Sequence, residues 1–259
     1  MNIILMSLLA GVVGMGLGGV ITAIFGGRTE KMISIFLALA GGVMISIVFL
    51  ELIPEAIEYS NIGIAVAGLV IGALMVLLLN GIVDAISSAN KKKSKLHETY
   101  ADFFHSSGVI ESKKGLIRSG MIMLFAIALH NIPEGLAMGA AGGHDAALGV
   151  TLAIMIGLHN IPEGMAISAP LISGGLPKTK TVILVMLTGA TTVIGAVIGV
   201  AVGGISDIAL ALSFSIAGGA MLYVVLGEIL PQTIVTNKDR VPAIFALVGI
   251  IMGMLFAQI

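Results

Sequence analysis

Long apolar runs separated by short polar stretches dominate this chain, and the ten-residue alternation expected of a membrane β-barrel is absent. A bilayer core of about 30 Å takes about 20 helical residues to cross. With that window, eight segments qualify: roughly 2–25, 33–53, 62–84, 118–141, 147–171, 180–202, 208–230 and 241–258. Helices follow because open sheets would leave backbone N–H and C=O groups unpaired in lipid. The first segment is read as a span rather than a signal peptide, since it lacks a basic start, runs too long and passes into GGR without a small-x-small site. The expected fold is therefore all-α, a polytopic bundle of eight membrane helices forming one domain over 1–259, with a polar loop at 86–117 inside it.

Composition agrees with this pattern. The chain is 58% hydrophobic and 10% charged, with a mean hydropathy of +1.13, whereas soluble domains sit near ~45–50% and ~25%. All 13 Lys and Arg fall in or beside the first, third, fifth and seventh loops. With eight spans those loops share one side, which the positive-inside rule makes cytoplasmic, leaving both termini outside. The net charge of -1 gives no reason to expect a nucleic-acid partner. With no cysteine, metal chemistry has to rest on His, Asp, Glu, Asn or Met.

Two internal repeats carry more. Residues 41–56 read GGVMISIVFLELIPEA and 218–233 read GGAMLYVVLGEILPQT, so Met44 matches Met221, Glu51 matches Glu228 and Pro54 matches Pro231 without a gap. The expected topology runs these segments in opposite directions, the mark of an inverted repeat (spans 1–3 against 6–8). HNIPEG occurs at 130–135 and again at 159–164, near the middle of the fourth and fifth spans, a second opposed pair. His130 and Glu134, like His159 and Glu163, are four residues apart, on one helix face and about 6 Å apart along the axis. Pro133 and Pro162 remove backbone donors and should kink each helix; Gly135 and Gly164 permit close helix approach.

A carboxylate at membrane depth costs at least ~2.5–3.5 kcal/mol and requires a partner. No Lys or Arg lies inside any span, so Glu134 and Glu163 must take up protons or meet a cation from solution. Two imidazoles, two carboxylates and the amide oxygens of Asn131 and Asn160 form a nitrogen and oxygen set suited to zinc, iron, manganese or cobalt.

At these residues the chain resembles the ZIP (Zrt/Irt-like) family of metal transporters, bacterial type, over nearly its whole length. The resemblance implies uptake of zinc and other divalent metals into the cytoplasm across a plasma membrane, through a binuclear site between the fourth and fifth helices, in a homodimer, with no organic cofactor. Carried over, His130, Glu134, His159 and Glu163 are the primary ligands, and Asn131 and Asn160 belong to the second position. One departure stands out: many bacterial relatives place Glu-Pro in the sixth span where this chain has Thr192-Val193, a neutral oxygen in place of an acid.

Other features carry less weight. Glu51, Glu55 and Glu228 are candidates for guiding cations at the two mouths; Asp84, Asp145 and Asp207 read as ordinary loop or interfacial acids. His97 and His105 read as solvated loop histidines, and the 15 methionines as packing. Gly195, Gly199 and Gly203 form a ridge for helix contact. Two other functions compete. A proton or sodium antiporter would need only acids, not paired His and Asn. An intramembrane metalloenzyme would carry HExxH or Glu-x-x-His, and this chain has His-x-x-x-Glu in both copies. Ser173 has no evident base beside it, so no enzyme is expected.

Overall fold

The computed structural model describes residues 2–25, 30–89, 113–203 and 206–256. Arg28, Lys91, Lys92, Lys93, Lys95, His97 and His105 lie outside them, as does most of the expected 86–117 loop. The described residues are almost wholly helical and contain no strand. In chain order the helices are α1 (Ile3–Phe25), α2 (Glu30–Ile47), α3 (Ile53–Glu58), α4 (Ile62–Ala89), α5 (Lys113–His144), α6 (Ala146–Ser173), α7 (Lys178–Gly189), α8 (Thr192–Gly203), α9 (Asp207–Val224), α10 (Leu230–Thr236) and α11 (Val241–Phe256).

Six stretches are long and apolar enough to cross a membrane: Ile3–Phe25, Lys31–Glu58, Met123–His144, Ala146–Ser173, Lys178–Val202 and Asp207–Ile234. Ile62–Leu78 and Val241–Leu255 are shorter apolar helices. Within the described residues each expected span falls on helix, the sixth on two helices, and the chain is a multi-pass membrane protein. Large apolar side chains such as Leu78, Leu187, Leu247 and Leu255 point away from the bundle, as they must where the solvent is lipid.

Because lipid tails are as apolar as leucine, helices here are held together by close backbone approach rather than by burial of bulk. A methyl group at Gly195 would collide with the carbonyl oxygen of Ile132, and one at Gly199 with that of Leu136, which locks α8 onto α5 as the glycine ridge predicts. Gly203 lies where side-chain surroundings are not described. Gly14 and Gly18 bring α1 against α6, and Gly11 meets Gly189 of α7 backbone to backbone. Elsewhere Gly42 and Gly249 join α2 to α11, while Gly72 and Gly219 join α4 to α9. Two groups result, α1 with α5–α8 and α2–α4 with α9–α11; they meet where α9 packs on α5 and α2 on α6.

Three local features depart from the sequence reading. First, α4 runs on to Ala89 and α5 starts at Lys113, so helix takes up both ends of the expected loop. Second, the sixth span is not one helix. It breaks at Ala190 and Thr191, where Thr191 N–H turns back to the Thr188 carbonyl and Val193 N–H to that of Ala190. The Thr188 carbonyl also accepts from the Asn131 side chain and the Thr191 hydroxyl, which draws it out of the regular ladder. Third, Val48–Leu52 and Val225–Ile229 are π-helical turns, closed by Ile53 N–H to the Val48 carbonyl and Leu230 N–H to the Val225 carbonyl. They occupy identical positions in the repeated segments, each ending two residues before its proline, Pro54 or Pro231. Each proline lacks an N–H and its ring would strike the carbonyl four residues back, and the wider turn relieves that clash.

Candidate metal centre

The α5 and α6 helices pack side by side, and each continues through its motif proline, Pro133 or Pro162, without interruption. Their common face brings together the four residues that the spacing singled out. His130 Nε2 lies 2.8 Å from Glu134 Oε1 and 3.6 Å from Glu163 Oε1. His159 Nε2 lies 2.9 Å from the same Glu134 oxygen and 4.0 Å from Glu163 Oε1. All four side chains are fully buried, none more than 1% exposed. Ligand atoms of His130, Glu134 and Glu163 lie within 4.8 Å of one another, slightly more than the roughly 4.4 Å that two bonds of ~2.2 Å can reach, so a small inward shift of these side chains would let one ion touch all three.

Electrostatics sharpens the picture. Among the described residues these carboxylates pair only with histidines, and no Lys or Arg reaches them. In the Nε2–H tautomer His159 donates to the Glu134 carboxylate, while Glu134 Oε2 and both oxygens of Glu163 have no hydrogen-bond partner among the described residues. A buried polar atom without a partner costs about 1–3 kcal/mol, more when charged. Nitrogen and oxygen donors gathered this way are a set that could hold a metal ion.

The asparagines form a second layer. Asn131 donates through Nδ2 to the Thr188 carbonyl at 3.1 Å, and Asn160 donates to the Ala10 carbonyl at 3.3 Å. Each amide is thereby pinned by its nitrogen, and each Oδ1 stays buried and unpartnered. The Thr192 hydroxyl is also buried without a partner. Thr192 sits against Gly11 of α1 and Gly135 of α5, so it belongs beside the Asn131 and Asn160 layer. Gly135 and Gly164 make the close contacts expected of them, to the carbonyls of Thr192 and Met15.

Remaining candidates are dispersed. Glu51 and Glu228 stand in the two π turns, and Glu55 in α3. Asp145 caps α6 by accepting from Ala147 N–H at 2.9 Å, and Asp207 begins α9 behind the Ser206 cap. Asp84 lies within α4. Sequence reasoning missed Thr188 and Thr191. The Thr191 hydroxyl bridges the carbonyls of Ala128 and Thr188, each at 2.7 Å, and so ties α5 to the helix break next to Asn131. Two adjoining threonines after a glycine were the only signal of this bridge.

A family model described as "ZIP Zinc transporter" matches residues 1–258. The chain is 32% identical over 270 residues to "Zinc transporter ZupT" of Akkermansia muciniphila, covering 99% of this chain and 95% of that protein. It is 31% identical over 256 residues to the protein of the same name from Chlorobium chlorochromatii, covering 94% and 91%. With the Campylobacter jejuni protein of that name it shares 31% identity over 259 residues, covering 91% and 88%.

Proposed function

This chain belongs to the ZIP zinc transporter family, and on that footing we propose that it carries divalent transition-metal ions into the cytoplasm through the centre made by His130, Glu134, His159 and Glu163. Zinc is the foremost cargo, with iron, manganese, cobalt and cadmium as further substrates of the same donor set. The observation that carries this reading is the pair of fully buried carboxylates whose only ionisable partners, among the described residues, are two imidazoles. A visiting dication supplies the charge that the fold does not.

Binding begins with loss of water. The ion takes His130 Nε2, His159 Nε2 and oxygens of Glu134 and Glu163 in place of its hydration shell, and any proton held on those atoms leaves. Affinity therefore falls as pH falls, because His and Glu bind metal only when deprotonated. Asn131 and Asn160, pinned through their nitrogens, offer Oδ1 to a second position together with the Thr192 hydroxyl. Lacking an acid at 192, that position holds an ion more weakly than the first.

Movement through the membrane follows from the division into two helix groups. The centre lies within the glycine-packed group of α1 and α5–α8, and α2 and α9 of the other group cover it. Rocking of one group against the other exposes the centre to each side in turn. Supporting the inverted relation of the two halves, the matched segments share a π turn at the same repeat position. The basic residues before or near the start of α2, α5, α7 and α11 support a cytoplasmic placement of that side, with the termini outside and the unit assembled as a homodimer in the plasma membrane.

The test is zinc accumulation in proteoliposomes that contain the purified protein. Uptake by the native chain and its loss in Glu163→Ala and His130→Ala, with folded yield retained, is the expected result. Cation flux that persists in metal-free buffer, or uptake untouched by both substitutions, would overturn the proposal.

A further inference from the structure

Next to the His/Glu centre, toward the α5–α6 turn, lies a cavity of about 10 Å³, the space of a single water-sized body. Its walls come from both helix groups. Glu134 and His159 are among its lining residues, yet the surface it exposes is apolar throughout, with side chains such as Leu52 and Ile156 enclosing much of it. The two other lining residues that carry a heteroatom in their side chains are Met155 on α6 and Met221 on α9. Both are buried, at 1% and 0% exposure.

Their place in the cavity wall sets these two apart from the other methionines. Met155 stands four residues before His159, and His159 four before Glu163, so the three follow one another along one helix face at steps of about 6 Å. Met221 reaches the same cavity from the opposite helix group, in the residue of the 218–233 repeat that matches Met44. The cavity's walls expose no nitrogen or oxygen atom, so the two thioethers are the heteroatoms left to an ion that has shed its water and occupies it. A thioether is a weak ligand for hard ions and a good one for soft, polarisable ions.

We propose, taking transport through the His/Glu centre as given, that Met155 and Met221 are specificity-determining residues. Their sulfur atoms hold a dehydrated cation for the step between the cavity and the His/Glu centre, and so favour softer divalent ions such as Cd²⁺ over harder ones such as Mn²⁺. Because the two sulfurs belong to different helix groups, they can hold an ion together only while those groups are closed around the cavity.

Leucine has nearly the volume of methionine, so Met155→Leu with Met221→Leu removes sulfur with little change in packing. Met138, equally buried on α5 but outside the cavity lining, supplies the control. Rates of Cd²⁺ and Mn²⁺ uptake into proteoliposomes are measured separately for the native chain, the double variant and Met138→Leu. The Cd²⁺ to Mn²⁺ ratio is expected to fall roughly fivefold in the double variant, equivalent to about 1 kcal/mol, and to stay unchanged in the control. Cadmium X-ray absorption on the same proteins is expected to show sulfur scattering in the native chain and none in the double variant, a readout that does not need transport. An unchanged ratio in the double variant, the same shift in Met138→Leu, or absence of sulfur scattering from the native chain would overturn the inference and leave the His/Glu reading standing. Failure of the native chain to take up either ion would instead overturn that reading, and this inference with it.

Discussion

The two HNIPEG copies are identical in sequence and unlike in surroundings. In the α5 copy, Glu134 lies within 3 Å of both imidazoles, at 2.8 and 2.9 Å, while Asn131 is held by the helix break at Thr188 and Gly135 packs on α8. In the α6 copy, neither Glu163 oxygen has a hydrogen-bond partner, Asn160 is held by α1, and Gly164 packs on α1 as well. Six shared letters therefore encode a helix face; the neighbours decide what each letter does. Glu134 is the hub that contacts both histidines, and Glu163 is the open acid of the cluster.

This asymmetry ranks the effects of substitution. Glu134→Ala removes a ligand and releases both histidines, so zinc uptake should fall by more than about 100-fold, beyond the loss usual for a partner of a ligand. Glu163→Gln should cost nearly as much uptake yet leave the His130–Glu134–His159 contacts in place, so its folded yield should exceed that of Glu134→Ala in size-exclusion chromatography. Equal yields would erase the distinction between hub and open acid. Next in size are the asparagines. Asn131→Ala and Asn160→Ala should each weaken zinc binding about tenfold in equilibrium dialysis, with Asn131→Ala also loosening the α5 contact with the Thr188 break. A packing test follows: Gly195→Ala drives a methyl into the Ile132 carbonyl and should lower thermal stability by about 1–3 kcal/mol. Unchanged stability would contradict the tight α5–α8 seam.

The smallest effect belongs to the far acids. Tyr59 sits in ring contact with His144, and its phenol is held above its ordinary pKa by burial and then by the fields of Glu55, Glu58, Asp145 and Asp207. These acids therefore focus negative potential at one end of the bundle. Asp145→Asn with Asp207→Asn should raise the KM for zinc by about twofold at low ionic strength and not at all in high salt, where exposed charges are screened. Acidification acts on the centre itself. Uptake should decline as external pH falls through the imidazole and carboxylate ranges, because protons compete for the same His and Glu atoms.

Much of this was legible before any coordinates. Apolar runs of about 20 residues marked the helices, and four-residue spacing put His130 with Glu134 and His159 with Glu163 on common faces. What remained hidden depended on partners distant in sequence. Nothing local to Asn160 names the Ala10 carbonyl as its acceptor, since that contact depends on how α1 docks. The break at Ala190 escaped notice because LTGATT is apolar enough to read as continuous helix, and only the Asn131 and Thr191 bonds to Thr188 explain it. The π turns had a visible cause in Pro54 and Pro231, but a proline alone does not say whether a helix will kink, end or widen. Met155 read as packing until its cavity was seen.

The central claim is that Glu134 and Glu163 lie buried without a resident cation in order to receive a divalent one. Anomalous diffraction at the zinc absorption edge from zinc-soaked crystals measures this directly. The account predicts a strong peak between His130 Nε2, His159 Nε2 and the carboxylates of Glu134 and Glu163, lost in Glu163→Gln. A well-ordered map with no anomalous peak between α5 and α6, or a peak that persists unchanged in that variant, would contradict it.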